Sequence, residues 1–117
     1  GPMDLPPPPP PPDDQEEEIF IVVETMPEVK GGIAGLQKRV KYPEVAIRAG
    51  IEGRVTVQFV VDEEGNVINP RVIRGIGGGA DEEALRVIQT AKFSPGMQRG
   101  RPVRVQMSLP ILFKLSN

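Results

Sequence analysis

Val103-Arg104-Val105-Gln106-Met107-Ser108-Leu109-Pro110-Ile111-Leu112-Phe113-Lys114-Leu115 carries an apolar side chain at every odd position, with Arg104, Gln106, Ser108 and Lys114 polar between them. A period of two is the pattern of a half-buried β-strand, because successive side chains leave opposite faces of the sheet. Pro110 has no N–H for a ladder bond, so one side of this strand must not be fully paired. The stretch is therefore expected to be an edge strand. A long edge is either a hazard of uncontrolled pairing or a docking site for an extended peptide. Docking is the function this pattern points to.

Upstream, the strand finds its neighbours. Val55, Val57, Phe59 and Val61 alternate with Arg54, Thr56 and Gln58, and Asp62-Glu63-Glu64-Gly65-Asn66 then supplies a turn in which Gly65 can take positive φ. The return strand over residues 67–74 contains Pro70 and loses its alternation around Asn69, which predicts a bulge and the opposite edge of the sheet. A helix is expected from Asp81 as N-cap, with Glu82 and Glu83 at its positive end and Ala84, Leu85, Ile88 and Ala91 as its buried stripe. Phe93-Ser94-Pro95-Gly96 ends it, and a basic loop over residues 98–102 leads into the terminal strand. Earlier in the chain, Pro43 suits the first turn of a helix ending at Gly50, with Val45, Ala46 and Ala49 on one face. Ile33, Leu36 and Val40 recur at helical spacing before it, and Ile19-Phe20-Ile21-Val22-Val23 reads as a strand. The order β-α-α-β-β-α-β gives an α+β fold: a small antiparallel sheet with helices packed on one face.

The 117 residues suit one domain. Residues 19–117 are assigned to it; residues 1–18 read as a protease-cleavage scar, Gly1-Pro2-Met3, followed by a proline-rich acidic linker. The natural protein is thus expected to extend further upstream. Pro6 to Pro12 should form a polyproline II rod of about 3.1 Å per residue, close to ~22 Å in all. Residues 1–18 hold six acids and no base, whereas the remainder holds ten acids against fourteen bases. The chain has no Cys, His or Trp, which removes the thiolate nucleophile, the usual neutral-pH acid and base, and the preferred zinc ligands. No catalytic residue, metal site or cofactor is expected, and the protein is read as not an enzyme.

Two local patterns invite chemistry and fail on inspection. Gly75-Ile76-Gly77-Gly78-Gly79 ahead of a helix suggests a phosphate cradle, but Asp81, Glu82 and Glu83 would oppose an anion there. Glu63-Glu64 and Glu82-Glu83 sit in a turn and a helix start, where exposed acids are ordinary. Nucleic-acid binding by a sheet needs exposed aromatics with a basic stripe, and the few aromatics here fall mainly on core faces. The apolar run at residues 19–23 is far short of the roughly 20 residues of a bilayer span.

Taken in order, Tyr42-Pro43-Glu44-Val45-Ala46, Gly53-Arg54-Val55-Thr56-Val57-Gln58-Phe59-Val60-Val61-Asp62, Gly65-Asn66-Val67, Asp81-Glu82-Glu83-Ala84, Phe93-Ser94-Pro95-Gly96 and Pro110-Ile111-Leu112-Phe113 resemble the C-terminal domain of the TonB family of energy transducers. Met26-Pro27 and Gly31-Gly32 resemble the additional N-terminal element of its Bacteroidota-like branch. The resemblance implies a periplasmic domain of a protein anchored in the inner membrane, energised by ExbB and ExbD through an N-terminal anchor that this sequence does not include. It also implies docking of the TonB-box peptide of outer-membrane transporters by β-strand addition. Carried onto this chain, the partner-binding edge comprises Val103, Arg104, Val105, Gln106, Met107, Ser108 and Leu109, with Arg99 and Arg101 offering attraction to an acidic partner. A proline at Leu109 is expected to weaken that docking. The strand at residues 19–23 is expected to pair with the same edge, within the chain or by exchange in a homodimer. The alternative is a TonB-like interaction tail of a membrane-bound peptidase or a TolA-like envelope protein.

Overall fold

The computed structural model describes residues 18–116. The expected polyproline rod and most of the acidic linker lie outside the described residues. The chain forms β1 (Ile19–Phe20), β2 (Glu28–Val29), α1 (Gly32–Gln37), α2 (Glu44–Ala49), β3 (Gly53–Val61), β4 (Val67–Arg74), α3 (Ala80–Gln89), β5 (Phe93–Ser94), β6 (Gly96–Gln98) and β7 (Arg101–Phe113). The main sheet runs in the order β1-β7-β3-β4, β6 also pairs with β7, and β2 with β5 makes a separate two-stranded ribbon. The α+β architecture expected from the alternating strands is present.

β3 and β7 are its spine. Their antiparallel register is unbroken from Gly53 opposite Phe113 to Val61 opposite Val105. This places Val55, Val57, Phe59 and Val61 on the same face as Val105, Ile111 and Phe113, all of them buried. α3 covers that face with Ala80, Ala84, Val87 and Ile88. Phe59 meets Phe93 with ring centroids 5.4 Å apart, and Tyr42 meets Phe113 edge-on at 5.4 Å. Such aromatic pairs add to the burial of their area. Gly65 is the position where a glycine is indispensable: its φ is +86°, and a Cβ there would lie 1.9 Å from the Phe93 carbonyl oxygen. The close approach lets the Phe93 N–H donate to the Gly65 carbonyl at 2.9 Å, tying the β3–β4 turn to β5.

Several local expectations are corrected. Asp81 is not the N-cap of α3; Gly79 holds that place, and the Asp81 carboxylate accepts the N–H groups of Ile76 and Gly77 at 2.8 and 3.2 Å. The glycine-rich connector is thus folded onto an acid of its own helix. In α2 only Ala46 is buried; Val45 is 65% exposed and Ala49 is exposed as well, because the helix is short and meets the domain through one small side chain. In α1, Leu36 is buried and Ile33 is not. The strand expected over residues 19–23 stops after Phe20, and the chain crosses to an antiparallel bridge between Thr25 and Met97. The basic loop at residues 98–102 is instead a tight hairpin between β6 and β7, with Arg99 at φ 51° and Gly100 at φ 75° in its turn. The bulge expected near Asn69 is present: Asn69 has φ 50°, and the β3–β4 register shifts beside it.

Helix α3 is also fastened to the segment after α1. The Glu83 carboxylate receives Arg86 at 2.8 Å and the Lys41 N–H at 2.6 Å, while Arg86 donates to the Arg39 carbonyl at 3.0 Å. Hydrogen bonding from Arg86 holds the Glu83 carboxyl below its usual range, against the opposing effect of burial and with help from the Lys41 N–H.

Candidate functional site, a partly open strand edge

A β-strand directs the N–H and C=O of alternate residues to alternate sides, so each side of β7 can be assigned separately. One side belongs to β3 along the whole register from Val105 to Phe113. β6 continues that side: Thr25 and Met97 exchange N–H···O bonds, so Gly96 and Gln98 turn toward β7 and pair with Val103 and Arg101, which share the orientation of Val105. On the other side, Ile19 and Phe20 of β1 lie parallel beside Arg104 and Val105. Further along, the Gln37 side chain occupies this margin. Its amide donates to the Leu112 carbonyl at 2.7 Å, and its oxygen accepts the Leu112 N–H at 3.1 Å. Gln37 thereby presents to Leu112 the donor and acceptor that a neighbouring strand would present.

Since Leu112 faces away from β3, so do Pro110, Ser108 and Gln106. The parallel ladder with β1 reaches as far as Gln106. Between that point and Leu112, no strand of the described residues pairs with β7 on this side. The margin left open offers the N–H of Ser108 and the carbonyls of Gln106, Ser108 and Pro110. The missing N–H of Pro110 falls on the open side, which is why a proline fits within an otherwise regular strand.

Of the seven residues assigned from sequence to the edge, Val103, Arg104 and Val105 already have strand neighbours on both sides or a covering strand. Gln106, Met107, Ser108 and Leu109 border the opening, and Leu109 lies opposite Val57 with its backbone turned toward β3. Among the arginines, Arg104 bonds Glu63 at 3.1 Å and the Arg99 N–H donates to Glu24 at 3.0 Å; the exposed Arg101 begins β7. Arg99 and Arg101 therefore sit at the hairpin tip, at the far end of β7 from Leu112.

Sequence reasoning missed two parts of the site. Gln37 carries no periodicity signal, because its role depends on where α1 lies. The second part is a cavity of about 280 Å³ beneath the open margin, walled by Pro27, Val29, Ile33, Phe93, Met107 and Leu109. These residues come from four separate stretches of chain, so no local pattern announces them.

A family model described as the Gram-negative bacterial TonB protein C-terminal matches residues 38–115. Protein TonB of Vibrio cholerae serotype O1 is 37% identical over 87 residues, which is 74% of this chain and 36% of that protein, so the chain spans well under half of its relative. Among solved structures, the Helicobacter pylori TonB C-terminal domain superposes with a TM-score of 0.56 at 24% identity, covering 72% of this chain and 89% of that one. The Pseudomonas aeruginosa TonB C-terminal domain gives a TM-score of 0.55 at 28% identity, covering 67% and 80%. The first of these supports the fold alone. Gln37 and the cavity walls Pro27, Val29 and Ile33 precede the matched span.

Proposed function

Since the chain belongs to the family of Gram-negative TonB C-terminal domains, we propose that it is the receptor-gripping domain of an energy transducer, which captures an extended segment of an outer-membrane transporter as an added strand on β7. The observation that carries this reading is the open margin between Gln106 and Leu112, regular enough to template a strand and free of one among the described residues. Backbone pairing supplies affinity with little demand on partner sequence, which suits one transducer serving several transporters. Ladder bonds arranged across a strand pair also share a pulling load. In the whole protein, an upstream membrane anchor working with ExbB and ExbD would deliver proton-motive force, and the domain would work in the periplasm without catalysis.

The opening between β1 and Gln37 accommodates about five extended residues at ~3.3 Å each. A longer partner must leave the sheet or displace one of the two covers. The basic hairpin tip at Arg99 and Arg101 favours acidic character in whatever flanks the docked segment there.

Titration with a TonB-box peptide tests the reading. The Ser108 amide resonance is expected to move most among β7 residues, and Ser108→Pro, which removes the open-side donor, is expected to weaken binding at least tenfold. Unchanged affinity in a folded Ser108→Pro protein would rule out this margin as the docking edge.

A further inference from the structure

Met107 and Leu109 belong to the same inward stripe of β7 as Val105, Ile111 and Phe113, yet those three are buried and these two are only partly so. Partial exposure along this stripe coincides with the stretch that, among the described residues, has no strand on the side away from β3. The space beside them is the cavity of about 280 Å³, closed across from β7 by Pro27, Val29 and Ile33. Ile33 stands on its rim and is 59% exposed, an apolar side chain of α1 with no covering partner among the described residues.

A strand added to β7 would send alternate side chains to the helical face of the sheet, and those level with Met107 and Leu109 would enter this cavity. We infer that the cavity is a side-chain subsite for the docked segment and that it selects a branched aliphatic or aromatic residue at one position of an otherwise backbone-read peptide. The inference rests on the docking reading above. The occupant follows from continuity: the walls of the cavity include the two β7 residues that flank Ser108, whose backbone no strand of the described residues pairs. Glu28, also on the wall, sets a negative charge against an acidic side chain. The span matched by the family model begins at residue 38. The wall facing β7 comes from residues before it, so the selectivity belongs to this chain's own N-terminal elements.

The probe is a pair of seven-residue peptides of alternating Thr and Ser that differ only in a central Ala or Leu. Affinity and the Ser108 amide shift are measured together. The Leu peptide is expected to bind about tenfold or more tightly than the Ala peptide, the size expected for burying its added carbons. Ile33→Asp, at an exposed position on α1, is expected to shrink that ratio to about threefold or less while thermal unfolding stays cooperative. Equal affinity of the two peptides, with the Ser108 amide moving in both, would overturn the subsite and leave edge docking intact. No Ser108 shift with either peptide would overturn both. A concentration-dependent dimer that Ile33→Asp abolishes, without peptide binding, would assign the cavity to a second copy and overturn the peptide assignment.

Discussion

β4 and β7 each carry a proline on a margin of the same sheet, but the two margins are built to opposite ends. Along β4, the pairing with β3 shifts register twice, and Asn69 is turned to φ 50° just before Pro70. A bulged, twisted margin is a poor template for another strand, so this side of the sheet is closed by irregularity. Along β7 the pairing with β3 runs without a shift, and Pro110 turns its missing donor outward. That margin is straight and is guarded by covers: β1 at one end and the Gln37 side chain at the other. Irregularity cannot be lifted, whereas a cover can. The difference separates an edge that is protected from one that is kept ready.

The largest effect should come from confusing the two sides of β7. Leu109→Pro strikes the ladder with β3 opposite Val57 and is expected to cost about 1–3 kcal/mol, destabilising the domain rather than selectively weakening docking. Ser108→Pro strikes the open side one residue away and should leave the denaturation midpoint nearly unchanged. Chemical denaturation of the pair checks the assignment, and similar losses in both would refute it. Asn69→Val places a β-branched residue at positive φ and is expected to cost about 1–2 kcal/mol, measured the same way; no loss would mean that the β4 bulge is not held at that residue.

Gln37→Ala removes a cover without touching a strand. A loss of about 1 kcal/mol or less is expected, together with faster hydrogen exchange at the Leu112 amide; unchanged exchange would show that Gln37 does not guard it. The smallest effect concerns pH. Glu83 is held below its usual range in the folded chain, so its contribution is complete above the unfolded-state carboxylate range and is lost as pH falls through its lowered folded value. Stability should therefore decline on acidification less steeply in Glu83→Gln than in the parent. Identical acid profiles would argue against the Glu83 bonds to Arg86 and Lys41.

Much of the paired side of β7 was legible in sequence, because burial on one face imposes a period of two that both β3 and β7 display. Asn69 and Pro70 likewise announced the irregular margin through the loss of that period. The covers and the other short strands were not legible. β1, β2, β5 and β6 span two or three residues each, too few to show periodicity. Residues 19–23 have strand composition throughout, but Val23 is buried near Gly96, where a Cβ on Gly96 would lie 3.3 Å from it, and this tertiary contact draws the chain off β7 after Phe20. Asp81 has the residue type of an N-cap and instead satisfies two N–H groups of the preceding loop. At residues 21–23 a contact distant in sequence overrode a sound local preference, and at Asp81 the neighbouring loop did.

Pro110 has a further effect on any partner that reads β7. With one donor and three acceptors on offer, the opening is unequal from rung to rung, and a chain that slides by two residues meets a different set of complements. A uniform margin would tolerate such slippage; this one sets a frame, so that the phase of the captured segment, and with it the side chain that lands over the cavity, is fixed by an absent hydrogen.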